Sequence, residues 1–110
     1  MKPEWSNTLL DGRRVSRARA EEAVAELSDG WRLPTVDELQ TILDRSRYNP
    51  AIDTEKFPDT QSCPYWTSTP VSWDSSARWV VDFDGGIVDD DYGYYGACVR
   101  ACREIKGEGR

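Results

Sequence analysis

Between Asn49 and Thr60 the apolar period of this chain changes from the three-and-four spacing of helices to the alternation of strands, which restricts it to folds where helices precede a sheet. Upstream, Ala20, Ala23, Val24 and Leu27 fall at i, i+3, i+4 and i+7, with Glu21, Glu22 and Glu26 turned to water. The spacing predicts a helix over residues 17–27, capped by Ser16 and ended by Ser28-Asp29-Gly30. Thr35 with Glu38 three positions on is a capping box, and Leu39, Ile42 and Leu43 extend the second helix to Arg45. Asn49-Pro50 then stops helical structure and opens an irregular loop pinned by Ile52 and Phe57, running through Phe57-Pro58-Asp59-Thr60.

The strand half begins at Tyr65-Trp66-Thr67-Ser68-Thr69, rich in strand formers and stopped by Pro70. Over residues 77–84 the side chains alternate, Trp79, Val81 and Phe83 on one face, Arg78, Val80, Asp82 and Asp84 on the other. Asp84-Gly85-Gly86 is a hairpin turn into Ile87-Val88. A last strand over 97–103 is expected to point Val99 and Ala101 inward and Arg100 and Arg103 outward. Thr8-Leu9-Leu10 before Asp11-Gly12 reads as a short first strand and turn, and residues 106–110 as a frayed tail. The apolar faces define an expected core of Leu33, Leu39, Ile42, Leu43, Trp66, Trp79, Val81 and Phe83. With 110 residues, 31% of them charged and 38% apolar, the chain has material for one soluble globular domain over 1–110 and one main surface.

Charge is unevenly spread. The segment 61–97 holds Asp74, Asp82, Asp84, Asp89, Asp90 and Asp91 against the single base Arg78, and so carries five of the six net negative charges. Within it, Asp89-Asp90-Asp91-Tyr92-Gly93-Tyr94-Tyr95-Gly96 cannot build a core. Adjacent carboxylates repel unless water or a cation covers them, and tyrosines bring contact area at low entropic cost. Trp73, in a Ser-rich loop between Pro70 and Asp74, has no periodic reason to be buried and reads as an interface anchor. The candidate partner-binding residues are therefore Trp73, Asp74, Asp84, Asp89, Asp90, Asp91, Tyr92, Tyr94 and Tyr95. A pI near 4.6 argues against direct binding to nucleic acid or anionic lipid and for a partner with a basic surface. Met1-Lys2-Pro3-Glu4-Trp5 lacks the apolar stretch of a signal peptide, and no apolar run approaches the roughly 18 residues of a membrane span, so the expected location is the cytoplasm.

No catalytic residue, metal ligand or cofactor is expected. The chain has no histidine, which removes the usual general base near neutral pH and any Ser-His or Cys-His pair. Asp82, Asp84, Asp89 and Asp91 miss the spacing of a calcium loop, and no glutamate follows at its twelfth position. Nothing places an apolar pocket around a carboxylate, as paired-acid glycoside hydrolysis requires. Three cysteines, Cys63, Cys98 and Cys102, are an odd number and read as reduced thiols. In a strand Cys98 and Cys102 lie about 13 Å apart, too far to bridge. Which of the two Cys63 approaches across the sheet stays open.

Trp31-Arg32-Leu33-Pro34-Thr35-Val36-Asp37-Glu38-Leu39, Asn49-Pro50-Ala51-Ile52-Asp53, Phe57-Pro58, Tyr65-Trp66-Thr67-Ser68-Thr69, Trp79-Val80-Val81-Asp82-Phe83 with Gly85-Gly86, and Val99-Arg100-Ala101-Cys102-Arg103 occur in this order. Over about residues 8–103 the chain resembles the Lcl-type C-terminal domain family, common in bacterial and phage proteins. The resemblance implies an α+β, C-type-lectin-like fold, with two helices packed on a mixed, mostly antiparallel sheet and a long irregular loop region. It also implies a non-enzymatic binding role on a scaffold that tolerates sequence change. The calcium triplets of true C-type lectins, Glu-Pro-Asn and Trp-Asn-Asp, are absent. Two functions are expected to compete. One is an acidic inhibitor, anti-CRISPR-like, that mimics DNA and occupies the basic nucleic-acid-binding surface of a defence complex, as phage and mobile-element proteins do. The other is a lectin-like domain recognising a glycan or receptor.

Overall fold

Two buried clusters lie on opposite faces of one hairpin, and the alternation of strand side chains is what separates them. The computed structural model describes residues 3–91 and 96–104. In chain order these form β1 (Pro3–Thr8), a 3-10 turn (Leu10–Gly12), α1 (Arg17–Leu27), α2 (Val36–Gln40), β2 (Pro64–Val71), β3 (Asp74–Asp82), β4 (Ile87–Asp91) and β5 (Arg100–Glu104). Both sheets are antiparallel, β1 with β5 and β2-β3-β4 in sequence order. An isolated parallel bridge, Tyr65 to Cys98, joins them. The fold is thus α+β with two helices and two antiparallel sheets.

Neighbouring residues of β2 and β3 feed different clusters. Trp66 and Val80 pack with Ala20 and Val24 of α1 and with Leu33, Ala97, Val99 and Ala101. Tyr65 and Val81 pack with Leu39, Ile52, Phe83 and Cys98 on the other side, and Trp5, Ile42, Leu43, Phe57 and Val88 close over them. The Trp66 indole donates to the Val15 carbonyl at 2.8 Å, so its one polar atom is satisfied inside the core.

α1 has the predicted limits, with Ser16 Oγ accepting from Arg19 N at 3.2 Å. α2 opens on the predicted box, Thr35 Oγ1 accepting from Glu38 N and Glu38 Oε1 from Thr35 N. It stops at Gln40, five residues short of Arg45, because Ile42 and Leu43 turn into the second cluster through tight turns. Gly86 fills a turn position that suits glycine: its φ is +78°, and a Cβ there would meet Arg45 Cγ at 3.4 Å and Ala51 Cβ at 3.5 Å.

Several expectations are corrected. The first strand is β1, ahead of Leu9-Leu10, and Leu10 belongs to the 3-10 turn. β2 continues through Pro70, where the ladder is irregular between Trp66 and Pro70, the kind of place a residue without an N–H fits. β3 begins at Asp74 because Val71 and Asp74 pair across a two-residue turn. Val80 is 3% exposed, not outward, since α1 covers that face. Trp79 is only half-buried and lies outside both clusters.

The largest correction is Arg100, expected to face water and found 2% exposed. Its guanidinium donates to Ser6 O at 2.6 Å, Thr60 Oγ1 at 2.8 Å, and Thr8 Oγ1 and Asp59 Oδ1 at 3.1 Å each. It also lies 5.1 Å from the Phe57 ring centroid. Asp59 in turn accepts from Thr8 N at 2.6 Å, so one buried cation ties β1, β5 and the loop together.

Candidate functional site

The two-residue turn that links β2 to β3 consists of Ser72 and Trp73. Trp73 is 70% exposed, and its ring meets that of Trp79 edge-on at 5.6 Å and 87°. Such T-shaped pairs hold both rings in a defined orientation. The turn is braced below. Asp74 Oδ1 accepts from Ser76 N at 3.0 Å and Ser76 Oγ at 2.6 Å, and Arg17 of α1 donates to Ser76 O at 3.0 Å. Arg78 donates to Ser75 O at 2.6 Å.

Asp89, Asp90 and Asp91 lie in strand β4 and not in a loop, and no strand flanks β4 on its outer side among the described residues. The register sets Asp91 opposite Arg78, Asp90 opposite Trp79 and Asp89 opposite Val80. Cross-strand partners share a face, so Asp89 and Asp91 lie on the face of Val80 and Arg78, and Asp90 lies on the face of Trp79. The acidic run is therefore divided between two faces. Asp84 sits elsewhere, in the β3–β4 turn, where its carbonyl accepts from Asn49 N at 2.9 Å. β3 spans nine residues, so Asp84 and Trp73 stand at opposite ends of a strand roughly 26 Å long at about 3.3 Å per residue. Of the predicted site residues, Asp89, Asp90 and Asp91 lie on the outer strand β4, Trp73 and Asp74 at the β2–β3 turn, and Asp84 beyond the other end of β3. Tyr92, Tyr94 and Tyr95 lie outside the described residues.

The same carboxylates have a structural use. Charged side chains along an exposed edge strand oppose pairing with a strand from another molecule. Alternation with Val81 and Phe83 predicts Trp79 as core, and the structure leaves it half-buried. What separates it from Val81 is its cross-strand partner, Asp90 where Val81 has Val88.

Two features away from this edge were not anticipated. A hollow of about 710 Å³ is floored by Trp5, Ile42, Leu43 and Phe57 and rimmed by Asp53 and Lys56. Arg32 makes a bidentate pair with Glu38, at 2.7 and 2.8 Å, and also reaches Glu104 at 2.9 Å. The Arg32 guanidinium, helped by the Thr35 N–H and against the cost of partial burial, holds the Glu38 carboxyl down to about 2. Among the described residues no group of three or more His, Cys, Asp or Glu side chains is arranged to hold a metal ion, and no helix is long and apolar enough to cross a membrane.

No curated protein and no solved structure matches the chain at a significant level. The model of one family, the Lcl C-terminal domain, matches residues 3–103, taking in every element from β1 to all but the last residue of β5. Within that range the sequence blocks set out above serve structure: Thr35 and Glu38 cap α2, Trp66 fills the first cluster, and Val99-Arg100-Ala101 lies buried at the entry to β5. The chain belongs to the Lcl C-terminal domain family.

Proposed function

We propose that this domain is a non-enzymatic recognition module of C-type-lectin-like fold, which lays Trp73 and the outer strand β4 on a basic surface of another protein and thereby keeps nucleic acid off that surface. The observation that carries the reading is Trp73, a large aromatic 70% exposed at a tight turn, braced by Trp79 and set in the most acidic part of the chain. Exposed, pre-oriented tryptophans are the side chains that most often dominate protein interfaces. The aspartates steer a basic partner and fix its register. Because they alternate between two faces, contact by the indole carries more of the affinity than a regular imitation of phosphates would.

The test is a titration against a basic protein captured on the immobilised domain, at low and high salt and with competing duplex DNA. Capture alone says nothing. Trp73→Ala is expected to cost about 2 kcal/mol at either salt concentration, as loss of a hot spot does. Asp89→Lys with Asp91→Lys is expected to abolish binding at low salt, and DNA to compete. Affinity indifferent to salt, to the lysines and to DNA overturns the proposal.

A second reading rests on the same indole. An exposed ring flanked by carboxylate acceptors also suits the C–H face and hydroxyls of a sugar. Glycan binding that is lost in Trp73→Ala but unchanged by salt would select it.

A further inference from the structure

Cys63 immediately precedes β2, and Cys98 lies in the segment leading to β5. The backbone locks these two stretches together: Cys98 N donates to Pro64 O at 2.8 Å, Trp66 N donates to Cys98 O at 3.0 Å, and Tyr65 and Cys98 are parallel bridge partners. Residues two apart on a strand share a face, which puts Cys63 on the face of Tyr65 and hence of Cys98. The side chains meet. Cys63 packs against the cluster that contains Cys98, the Cys98 thiol donates to the Gly12 carbonyl at 3.2 Å, and neither sulfur is in a disulfide.

We propose that Cys63 and Cys98 are a dithiol that a hydroperoxide closes to a reversible disulfide, tying the start of β2 to the approach of β5.

Access and chemistry differ between the two in the way such a pair needs. Cys63 is half-buried and open to a small oxidant, whereas Cys98 is fully buried. The Cys98 thiol, with help from the charge of Arg14, holds Cys63 below its ordinary value against the cost of burial. The neighbouring Cys63 sulfur first, and burial second, push Cys98 up. Cys63 is thus the thiolate that attacks, and Cys98 the thiol that resolves. The Cys63 sulfur attacks one oxygen of the hydroperoxide and forms an S–O bond as the O–O bond breaks. The other oxygen leaves with a proton as an alcohol, or as water from hydrogen peroxide. The Cys98 sulfur then attacks the Cys63 sulfenic acid, an S–S bond forms, the S–O bond breaks, and water departs with the Cys98 proton. A dithiol reductant reverses the result. Cys102 takes no part: it is fully buried beside the Glu38 carboxylate, and burial first and that charge second push its thiol up to about 12.

The test treats the full chain with hydrogen peroxide, blocks remaining thiols with iodoacetamide and maps tryptic peptides without reduction. The expected result is an intact mass lower by two hydrogens, with peptide 57–78 joined to peptide 79–100. Cys102 should be alkylated in 101–103, the melting temperature raised by several degrees, and all of it reversed by dithiothreitol. In Cys98→Ser, Cys63 should stop at a sulfenic acid that dimedone traps. Irreversible sulfinic acid on Cys63 without a link, a link to Cys102, or links between molecules only would each overturn the proposal. Mapping the wild-type chain decides the matter even if a serine variant fails to fold.

Discussion

Arg100 shows how much one side chain can carry in a chain of this size. Its charge is buried where β1, β5 and the 57–60 loop meet, with donors placed on Ser6, Thr8, Asp59 and Thr60. Arg100→Ala leaves Asp59 and the half-buried Ser6 carbonyl short of their donor, and is expected to cost about 3 kcal/mol, the lower end for breaking a buried pair because Asp59 keeps some contact with water. A urea titration that shifts by less than a third of this would show that water replaces the guanidinium without loss. The tryptophans divide by burial in the same way. Trp66→Ala removes a fully buried ring and its bond to Val15 O, and is expected to lose about 3–5 kcal/mol. Trp79→Ala should lose less, about 1–3 kcal/mol, half of a buried aromatic's transfer energy plus the ring pair with Trp73. Equal losses in the two variants would contradict the division of the core described above.

Among the elements, α2 is only five residues long, and one of them, Glu38, closes the capping box at its N-terminus and grips Arg32. The carboxyl titrates near 2 when folded and near 4.5 when free, so the unfolded chain takes up its proton first as pH falls. The stabilisation is therefore complete above about 4.5 and is lost between there and about 2. Melting curves should show that loss, and Glu38→Gln should flatten it; an unchanged acid slope in the variant would assign the loss to other carboxylates. Capping residues made both helix starts legible in the sequence, because a cap is a local signal. The end of α2 was not legible, since Ile42 and Leu43 keep helical spacing while being drawn into a cluster assembled from β1 and the loop. Arg100 was hidden for a related reason: alternation marks it as outward, and its partners lie 40 or more residues away in sequence. The acidic run was legible as composition. Its division between two faces required the β3–β4 register, which begins at Asp82 opposite Ile87.

At the scale of the whole molecule, two roles can be set against each other at the outer edge of β4, the proposed docking of a basic protein and protection against strand pairing, and the sign of its charge separates them. As a guard against pairing with a second copy, the edge needs charge of either sign, because like charges brought strand to strand repel. As a docking surface for a basic protein, it needs negative charge. Asp89→Asn with Asp90→Asn and Asp91→Asn removes both, and is expected to raise self-association above that of the parent chain in sedimentation at increasing concentration. The melting temperature should barely move, since surface changes shift stability by about 0.5 kcal/mol. Replacing the same three residues with lysine should restore the parent's association behaviour while leaving the binding of a basic partner abolished. If the asparagine variant associates no more than the parent, the carboxylates are not needed as a guard and the partner is left as their reason. If the lysine variant still binds the basic partner, the edge serves only to keep copies apart, and Trp73 alone remains as the recognition element.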